Sequence, residues 1–194
     1  MKRWITFNFR LSMLKAWMDS KPQLMTGVAY LEDGRVVVRD RAYRSFLIQR
    51  GYGFREGSLL ILTGEEALYL LSENKLKLLD EECELGLKEA ADRLIAEDPD
   101  VWVRFLIYRD LRDRGYVVRR GYGLGLDFLL YERGTYGKKP AKYLVIGVSE
   151  GKPLGLNDLL RDLKTAISSD KELILAVVDR RGDVVYYRVS AGFR

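Results

Sequence analysis

The chain has 194 residues, of which 47% are hydrophobic and 31% charged; this supplies one sizeable core or two small ones and excludes a disordered chain. It contains no histidine and one cysteine, Cys83. These counts exclude a Ser-His-Asp or Cys-His nucleophile, a Cys₂His₂ or Cys₄ zinc site and an internal disulfide. The 33 basic and 28 acidic residues leave a net charge of +5, compatible with an acidic partner such as RNA and equally with ordinary solubilising charge.

No apolar run approaches the roughly 18 residues that a membrane helix needs, because charged residues interrupt each of them. Residues 1–17 also lack the uninterrupted apolar region and the small-residue cleavage site of a signal peptide. We therefore expect a soluble, cytoplasmic protein that does not bind membranes. The chain has only three Asn and two Gln, a composition that favours a thermophilic source.

The first half of the chain predicts short strands and helices. Residues 4–11 alternate in the manner of a half-buried strand, and Asp33-Gly34 joins two β-rich runs, 26–31 and 35–38, as in a β-hairpin. Thr63 and Glu66 form a capping-box pattern at the start of a helix. The predicted helices of this half are residues 41–49, 65–72 and 85–97.

A second unit is predicted from residue 98, where Asp98 would be the N-cap and Pro99 the first residue of a helix ending at Gly115. The segments that follow are predicted as three strands, a helix and two strands: 116–119, 126–131, 143–148, 156–168, 173–179 and 184–189. The nearly all-apolar run 173–178 indicates a strand buried on both faces. We therefore predict an α/β (α+β) protein with a mixed α/β domain at 1–97 and, at 98–194, a mixed β-sheet flanked by helices.

Two motifs suggest phosphate or metal chemistry. Gly121, Gly123 and Gly125 lie between two predicted strands rather than before a helix, which favours a turn over a dinucleotide-binding loop. Asp127, Glu150 and Lys152 follow the order of magnesium-dependent nucleases, in which two carboxylates hold the metal and the lysine stabilises charge on the phosphate. Glu150-Gly-Lys152 is equally typical of an ordinary turn after a strand.

A third pair, Tyr131 and Lys171, could serve metal-free RNA cleavage. That reaction needs a base for the 2′-hydroxyl, an acid for the leaving 5′-oxygen and a cation for the phosphorane. The spacing alone does not bring the two residues together, and a tyrosine at a strand end with a surface lysine explains it as well.

Longer stretches resemble one known family. Residues 108–131, with YRDLRDRGYVVRRG and GLDFLLY, and residues 171–187, KELILAVVDRRGDVVYY, are similar to the C-terminal domain of archaeal tRNA-splicing endonucleases. Gly51-Tyr-Gly53 and the run 62–71 are similar to the N-terminal domain of that family. The resemblance spans most of residues 24–190, and it implies a C-terminal domain of restriction-endonuclease-like fold.

The resemblance also implies an activity, and it implies that this chain lacks one of the residues that the activity needs. The family cuts pre-tRNA at bulge-helix-bulge sites with a Tyr, a His and a Lys, without metal or cofactor, leaving a 2′,3′-cyclic phosphate and a 5′-hydroxyl. Tyr131 and Lys171 match two of these positions, and Pro140 occupies that of the histidine. The chain therefore resembles a structural subunit that joins a catalytic subunit, two of each, in a heterotetramer acting on pre-tRNA; an autonomous nuclease built on the Asp127 motif is the alternative.

The resemblance implies further contacts outside the catalytic positions. The last strand would pair with its counterpart in another subunit, and the loop before it, here with two arginines among its residues, would dock on an opposing subunit or remain a solvated turn. The residues implied in these interfaces are Asp179, Asp183, Val184, Tyr186, Tyr187 and Arg188. Lys164 matches an arginine that clamps a bulged base, and a phosphate contact is the interpretation that a lysine allows there.

Overall fold

The computed structural model describes residues 26–121 and 127–192, which form two mixed sheets and five helices. The predicted strand at residues 4–11 lies outside the described residues. The N-terminal sheet has the order β3-β4-β2-β1-β5-β6, in which only β1 and β5 run parallel. Its strands are β1 Gly27–Glu32, β2 Arg35–Val38, β3 Phe54–Glu56, β4 Leu59–Leu62, β5 Leu76–Asp80 and β6 Cys83–Leu85.

The C-terminal sheet has the order β11-β10-β9-β8-β7, in which only β9 and β10 run parallel. Its strands are β7 Val117–Arg120, β8 Phe128–Tyr131, β9 Tyr143–Ser149, β10 Glu172–Val178 and β11 Val184–Val189. β11 is therefore an edge strand of this sheet. The short strands β3 and β6 are the two edges of the N-terminal sheet. The predicted α/β architecture, with a mixed sheet in the C-terminal half, is confirmed, and the N-terminal half also contains a mixed sheet.

The helices are α1 Arg41–Gln49, α2 Gly64–Ser72, α3 Leu87–Glu97, α4 Val101–Asp113 and α5 Leu156–Ser168. The predicted N-cap at Asp98 is wrong, because α4 begins at Val101 and its N-cap residue is Asp100. The carboxylate of Asp98 instead accepts a hydrogen bond from the Asp100 N–H at 3.3 Å and pairs with Arg104. No helix of the described segments is long and apolar enough to cross a membrane.

Local chemistry accounts for the elements that were predicted. Asp33 and Gly34 both adopt positive φ, 48° and 73°, which suits the tight turn of the β1–β2 hairpin. The carboxylate of Glu66 reaches back to accept the Thr63 N–H at 3.1 Å, which is the return half of a capping box at α2. These interactions lie within a few residues of each other, so a sequence pattern can reveal them.

The C-terminal sheet is covered on both faces. Along β9, Val145 points into the large core shared with α4, whereas Leu144 and Ile146 point into a smaller cluster under α5. In β10, Leu173 and Ala176 are fully buried on opposite faces, but Leu175 and Val177 are only half-buried. The predicted two-sided burial of this strand is therefore confirmed for part of its length.

A polar junction joins the two sheets at the start of α2. The side chain of Glu65 is buried and accepts a 3.0 Å hydrogen bond from Arg120 of β7. Glu66, also buried, accepts hydrogen bonds from the Gly53 and Thr63 N–H groups at 3.0 and 3.1 Å. Burial raises the pKa of Glu66 to about 7, and these N–H groups oppose the rise.

Candidate functional site

Strand register places three candidate side chains in one row. Leu130 of β8 pairs with Tyr143 of β9, and Tyr143 pairs with Glu172 of β10. One position further out, Tyr131, Lys142 and Lys171 therefore stand side by side at the same end of the sheet. Two backbone hydrogen bonds of 3.0 Å continue the ladder there, from Lys142 N–H to Leu130 and from the β10 start to the Lys142 carbonyl. At about 4.8 Å per strand, the backbones of Tyr131 and Lys171 are roughly 10 Å apart.

The row belongs to the face of the sheet that carries α5. Leu129, Leu144 and Leu173 contribute to the cluster under α5, and each is two residues from a member of the row. Because side chains alternate along a strand, Tyr131 and Lys171 lie on this same side, whereas the ammonium group of Lys142 contacts Glu132 and the ring of Tyr143. The fold thus brings together the two residues whose meeting the sequence spacing left open.

Each member of the row has a specific partner. The ring of Tyr131 packs edge-on against Tyr136, with ring centroids 5.1 Å apart. The ammonium group of Lys171 donates to the Ser169 carbonyl at 2.7 Å, and that of Lys142 pairs with Glu132 at 2.8 Å. The hydrogen bond that Lys142 donates to the Glu132 carboxylate raises the pKa of Lys142, so this lysine remains a cation at neutral pH and is a poor proton donor.

Pro140 lies exposed in the loop that joins Tyr131 to β9, two residues before Lys142. A proline side chain can neither donate nor accept a proton, and the whole chain contains no histidine. The row therefore offers one hydroxyl and two ammonium groups but no imidazole. Such a set can hold a phosphate through its charge, whereas it contains no imidazole to transfer a proton.

The structure places the three residues of the Asp127 motif in different surroundings. Asp127 accepts a 2.7 Å hydrogen bond from the Gly147 N–H, and burial raises its pKa. Lys152 pairs with Asp100 at 3.1 Å, and Glu150 lies exposed in the turn after β9. Within residues 26–121 and 127–192, no three acidic, Cys or His side chains are grouped as metal ligands.

The glycine-rich segment joins two strands. Residues 122–126 lie outside the described residues, but the Gly121 N–H donates to the Asp127 carbonyl at 3.0 Å, and β7 and β8 on either side are antiparallel neighbours. No helix follows the segment, because β8 begins at Phe128. The preference for a turn over a dinucleotide-binding loop agrees with this arrangement.

The two faces of β11 differ in what covers them. Val184 and Tyr186 point into the large core of the same chain, whereas Val185 and Tyr187 are about half exposed, at 49% and 54%, on the α5 side. Arg188 is exposed and pairs with Glu172 at 3.1 Å. Of the predicted interface residues, Val184 and Tyr186 therefore support the strand from inside, and Tyr187 is available to a partner.

The loop before β11 is held by one of its own carboxylates. Asp179 accepts hydrogen bonds from the Arg181 and Asp183 N–H groups at 2.8 and 2.9 Å, and the bond from Asp183 lowers the pKa of Asp179. The side chains of Arg180, Arg181 and Asp183 are exposed. The loop therefore presents two cations and one anion to its surroundings.

Helix α5 adds exposed apolar surface that the sequence interpretation missed. Leu156, Leu160 and Ile167 are exposed by 69%, 45% and 58%. Together with the buried Leu163, which packs in the cluster under α5, they are spaced four, three and four residues apart and form one stripe along the helix. The spacing of these apolar residues is the sequence signal that could have revealed the stripe. Lys164 is also exposed on α5, beside Leu160 in a shallow groove.

Comparison with known proteins agrees with this two-sheet arrangement. Residues 27–91 match the family model for the tRNA intron endonuclease N-terminal domain, and residues 101–186 match that for the catalytic C-terminal domain. The chain belongs to the tRNA intron endonuclease family.

Several tRNA-splicing endonucleases from archaea are similar to the chain. That of Pyrococcus furiosus is 38% identical over 162 residues, which cover 83% of this chain and 94% of the relative. That of Methanococcus maripaludis is 39% identical over 174 residues, covering 89% and 98%. That of Methanococcoides burtonii is 35% identical over 157 residues, covering 80% of this chain but only 44% of the longer relative.

Proposed function

We propose that this chain is a structural subunit of a tRNA-splicing endonuclease. It would assemble with a histidine-bearing catalytic subunit, two copies of each, and the complex would cleave pre-tRNA introns at bulge-helix-bulge sites without a metal ion. The observation that carries the proposal is the composition of the Tyr131–Lys142–Lys171 row, which lies beside Pro140 in a chain without histidine.

The chemistry of the reaction explains why this composition matters. The 2′-hydroxyl must lose a proton as it attacks the phosphorus, and the departing 5′-oxygen must gain one. Lys171 could stabilise the phosphorane and Tyr131 could exchange a proton, but the remaining proton transfer has no side chain to perform it. A missing general acid costs on the order of 10²–10⁴ in rate, so we expect this chain alone to be almost inactive.

The exposed apolar surface supports assembly with another subunit. β11 is an edge strand with unpaired backbone groups, and an unprotected edge of this kind tends to pair with another chain. Val185 and Tyr187 adjoin this edge on the face that also bears the exposed stripe of α5. A partner strand laid against β11 would continue the sheet and bury both side chains.

Cleavage assays on a bulge-helix-bulge RNA test the proposal. Three samples are assayed: this chain alone, a histidine-bearing paralogue alone, and the two together. Each is measured with and without EDTA. We expect cleavage that requires the paralogue, is increased by this chain and is insensitive to EDTA. Cleavage by this chain alone at a rate similar to that of the mixture would refute the structural role, and its loss in EDTA would favour the Asp127 metal site instead.

A further inference from the structure

The loop between Tyr131 and β9 is held against the N-terminal half of the chain. Tyr136 packs on Tyr131 and also lies against Gly51, where an added Cβ would come within 3.2 Å of the Tyr136 Cζ. Gly51 also has a φ of +76°, so a side chain there would be doubly unfavourable. The segment before Gly51 thus adjoins the loop 132–139.

Two arginine contacts fix the same region. The Arg133 Nε donates to the Arg114 carbonyl at 2.7 Å, which anchors the loop on the C-terminal end of α4. From the same part of the chain, Arg112 donates to the Arg50 carbonyl at 3.1 Å. The end of α4 therefore holds both the loop 132–139 and Arg50 in place, although 82 residues of sequence separate Arg50 from Glu132.

This arrangement concentrates positive charge at the surface. Arg50, Arg133, Lys138 and Lys139 are all exposed, and we call these four residues the junction surface. Lys138 and Lys139 make no ion pair with a described acidic side chain. The one acidic residue of the loop, Glu132, pairs with Lys142 at 2.8 Å and also interacts electrostatically with Lys139, so this single carboxylate offsets only part of the charge of the junction surface.

The backbone of the loop is also open to a ligand. Gly134 and Gly137 have φ of +72° and +77°, and a Cβ added at either would meet no atom within 4 Å. Solvent-facing glycines between cationic side chains allow a bulky anionic polymer to approach the main chain closely. The half-buried Tyr136, which carries a flat aromatic face, lies between them in the sequence.

We propose that the junction surface binds the phosphate backbone of RNA, so that this chain contacts the substrate directly. The inference rests on the proposed function and deepens it, because it assigns the RNA contact to residues outside the Tyr131–Lys142–Lys171 row. Exposed Lys and Arg side chains on a rigid support gain affinity by releasing the counterions of the RNA. Since phosphates carry no sequence information, the surface would position RNA rather than select a sequence.

The test measures RNA binding by the chain alone, without cleavage. Fluorescence anisotropy is recorded at several salt concentrations with a bulge-helix-bulge hairpin and with a plain hairpin of equal length. The variant is K138A/K139A, and the matched control is K77A/K88A, which removes two exposed lysines from β5 and α3. We expect similar affinities for the two RNAs and, for K138A/K139A only, a slope of log K against log salt that is smaller by about 1.8, since each phosphate contact contributes about 0.9.

Three results would overturn the proposal. The unmodified chain could fail to bind either RNA at low salt, the two variants could lose equal affinity, or K138A/K139A could bind as tightly as the unmodified chain. Normal RNA binding with lost co-elution of the catalytic subunit would identify the junction surface as a protein interface, which also contradicts it. Because the anisotropy measurements use the isolated chain and score no cleavage, their results are independent of whether the chain supports a catalytic subunit.

Discussion

The hydroxyl of Tyr186 in β11 donates a 2.7 Å hydrogen bond to the Asp110 carboxylate in α4. Burial, and secondly this bond, raise the pKa of Tyr186, so the hydroxyl remains a donor throughout the physiological range. Asp110 also holds Arg114 at 2.7 Å. The edge strand is thus fastened to the core of its own chain through one face, which leaves its other face for a partner.

The first prediction concerns this bond. Tyr186→Phe keeps the ring and removes the donor, so we expect the free energy of unfolding to fall by about 1.5–3 kcal/mol, as for a hydrogen bond to a charged group. Urea denaturation followed by circular dichroism measures the change. Tyr187→Phe, at the exposed neighbouring position, is the matched control and should change stability by less than about 0.5 kcal/mol. Equal effects of the two variants would contradict the assignment.

The second prediction concerns assembly. Tyr187→Asp places a charge on the open face of β11 and should weaken the complex with a catalytic subunit on the order of 100-fold, while the isolated chain remains folded. Size-exclusion chromatography with light scattering gives the mass of the complex, and thermal unfolding checks the fold. Leu87→Asp, which alters an exposed leucine on α3, should leave the complex intact.

We expect Val184→Asp to differ from Tyr187→Asp in the same experiment. Val184 is partly buried against the core of its own chain, so a charge there should destabilise the protein as well as release the partner. A stable, monomeric Val184→Asp variant would show that the inward face of β11 contributes less to the fold than its packing indicates. If Tyr187→Asp assembles normally, pairing through β11 is not the mode of assembly.

The third prediction restores the missing group. Pro140→His adds an imidazole to the loop beside Tyr131 and Lys171, so we expect metal-independent cleavage of the bulge-helix-bulge RNA to rise by 10²–10⁴ over the unmodified chain. The 5′-hydroxyl and cyclic-phosphate ends of the products identify the reaction. Pro140→Ala controls for the loss of the proline ring. If both variants are equally inactive, position 140 does not correspond to that of a catalytic histidine.

The fourth prediction concerns the buried Glu66. Its pKa rises from 4.5 in the unfolded chain to about 7 in the folded one, because burial disfavours the carboxylate. The folded state therefore holds more protons between these values, and its stability should fall by roughly 3 kcal/mol as the pH rises from about 4.5 to 7.

Glu66→Gln isolates this effect. The glutamine amide oxygen can still accept hydrogen bonds from the Gly53 and Thr63 N–H groups, but the amide does not ionise. The unfolding free energy of the variant, relative to that of the unmodified chain, should therefore increase as the pH rises from 5 to 8. Urea titrations at both pH values measure the difference. Glu82→Gln, at an exposed position, should follow the unmodified chain. Parallel curves for Glu66→Gln and the unmodified chain would show that Glu66 does not titrate in this range.

Local signals were sufficient for several elements. The bounds predicted for α1, α5 and β11 agree with the structure, and the Asp33-Gly34 turn joins β1 to β2 as expected. Hydrophobic periodicity, caps and turn residues act within a few positions of one another, so they can be seen in the sequence. The short strands of the N-terminal sheet carried too few residues for a pattern, and β3 to β6 were missed.

Some features of the candidate site can likewise be seen in the sequence, whereas others depend on the fold. By itself, the sequence determined which chemistry is absent, because a chain without histidine cannot place an imidazole anywhere, and its resemblance to a family pointed to Pro140. Only the tertiary structure decided that Tyr131 and Lys171 flank Lys142, since that depends on pairing between residues up to 29 positions apart, as in Tyr143 and Glu172. It also decided which face of β11 is covered: alternation predicts two faces, but the packing of α4 and α5 determines which of them remains open.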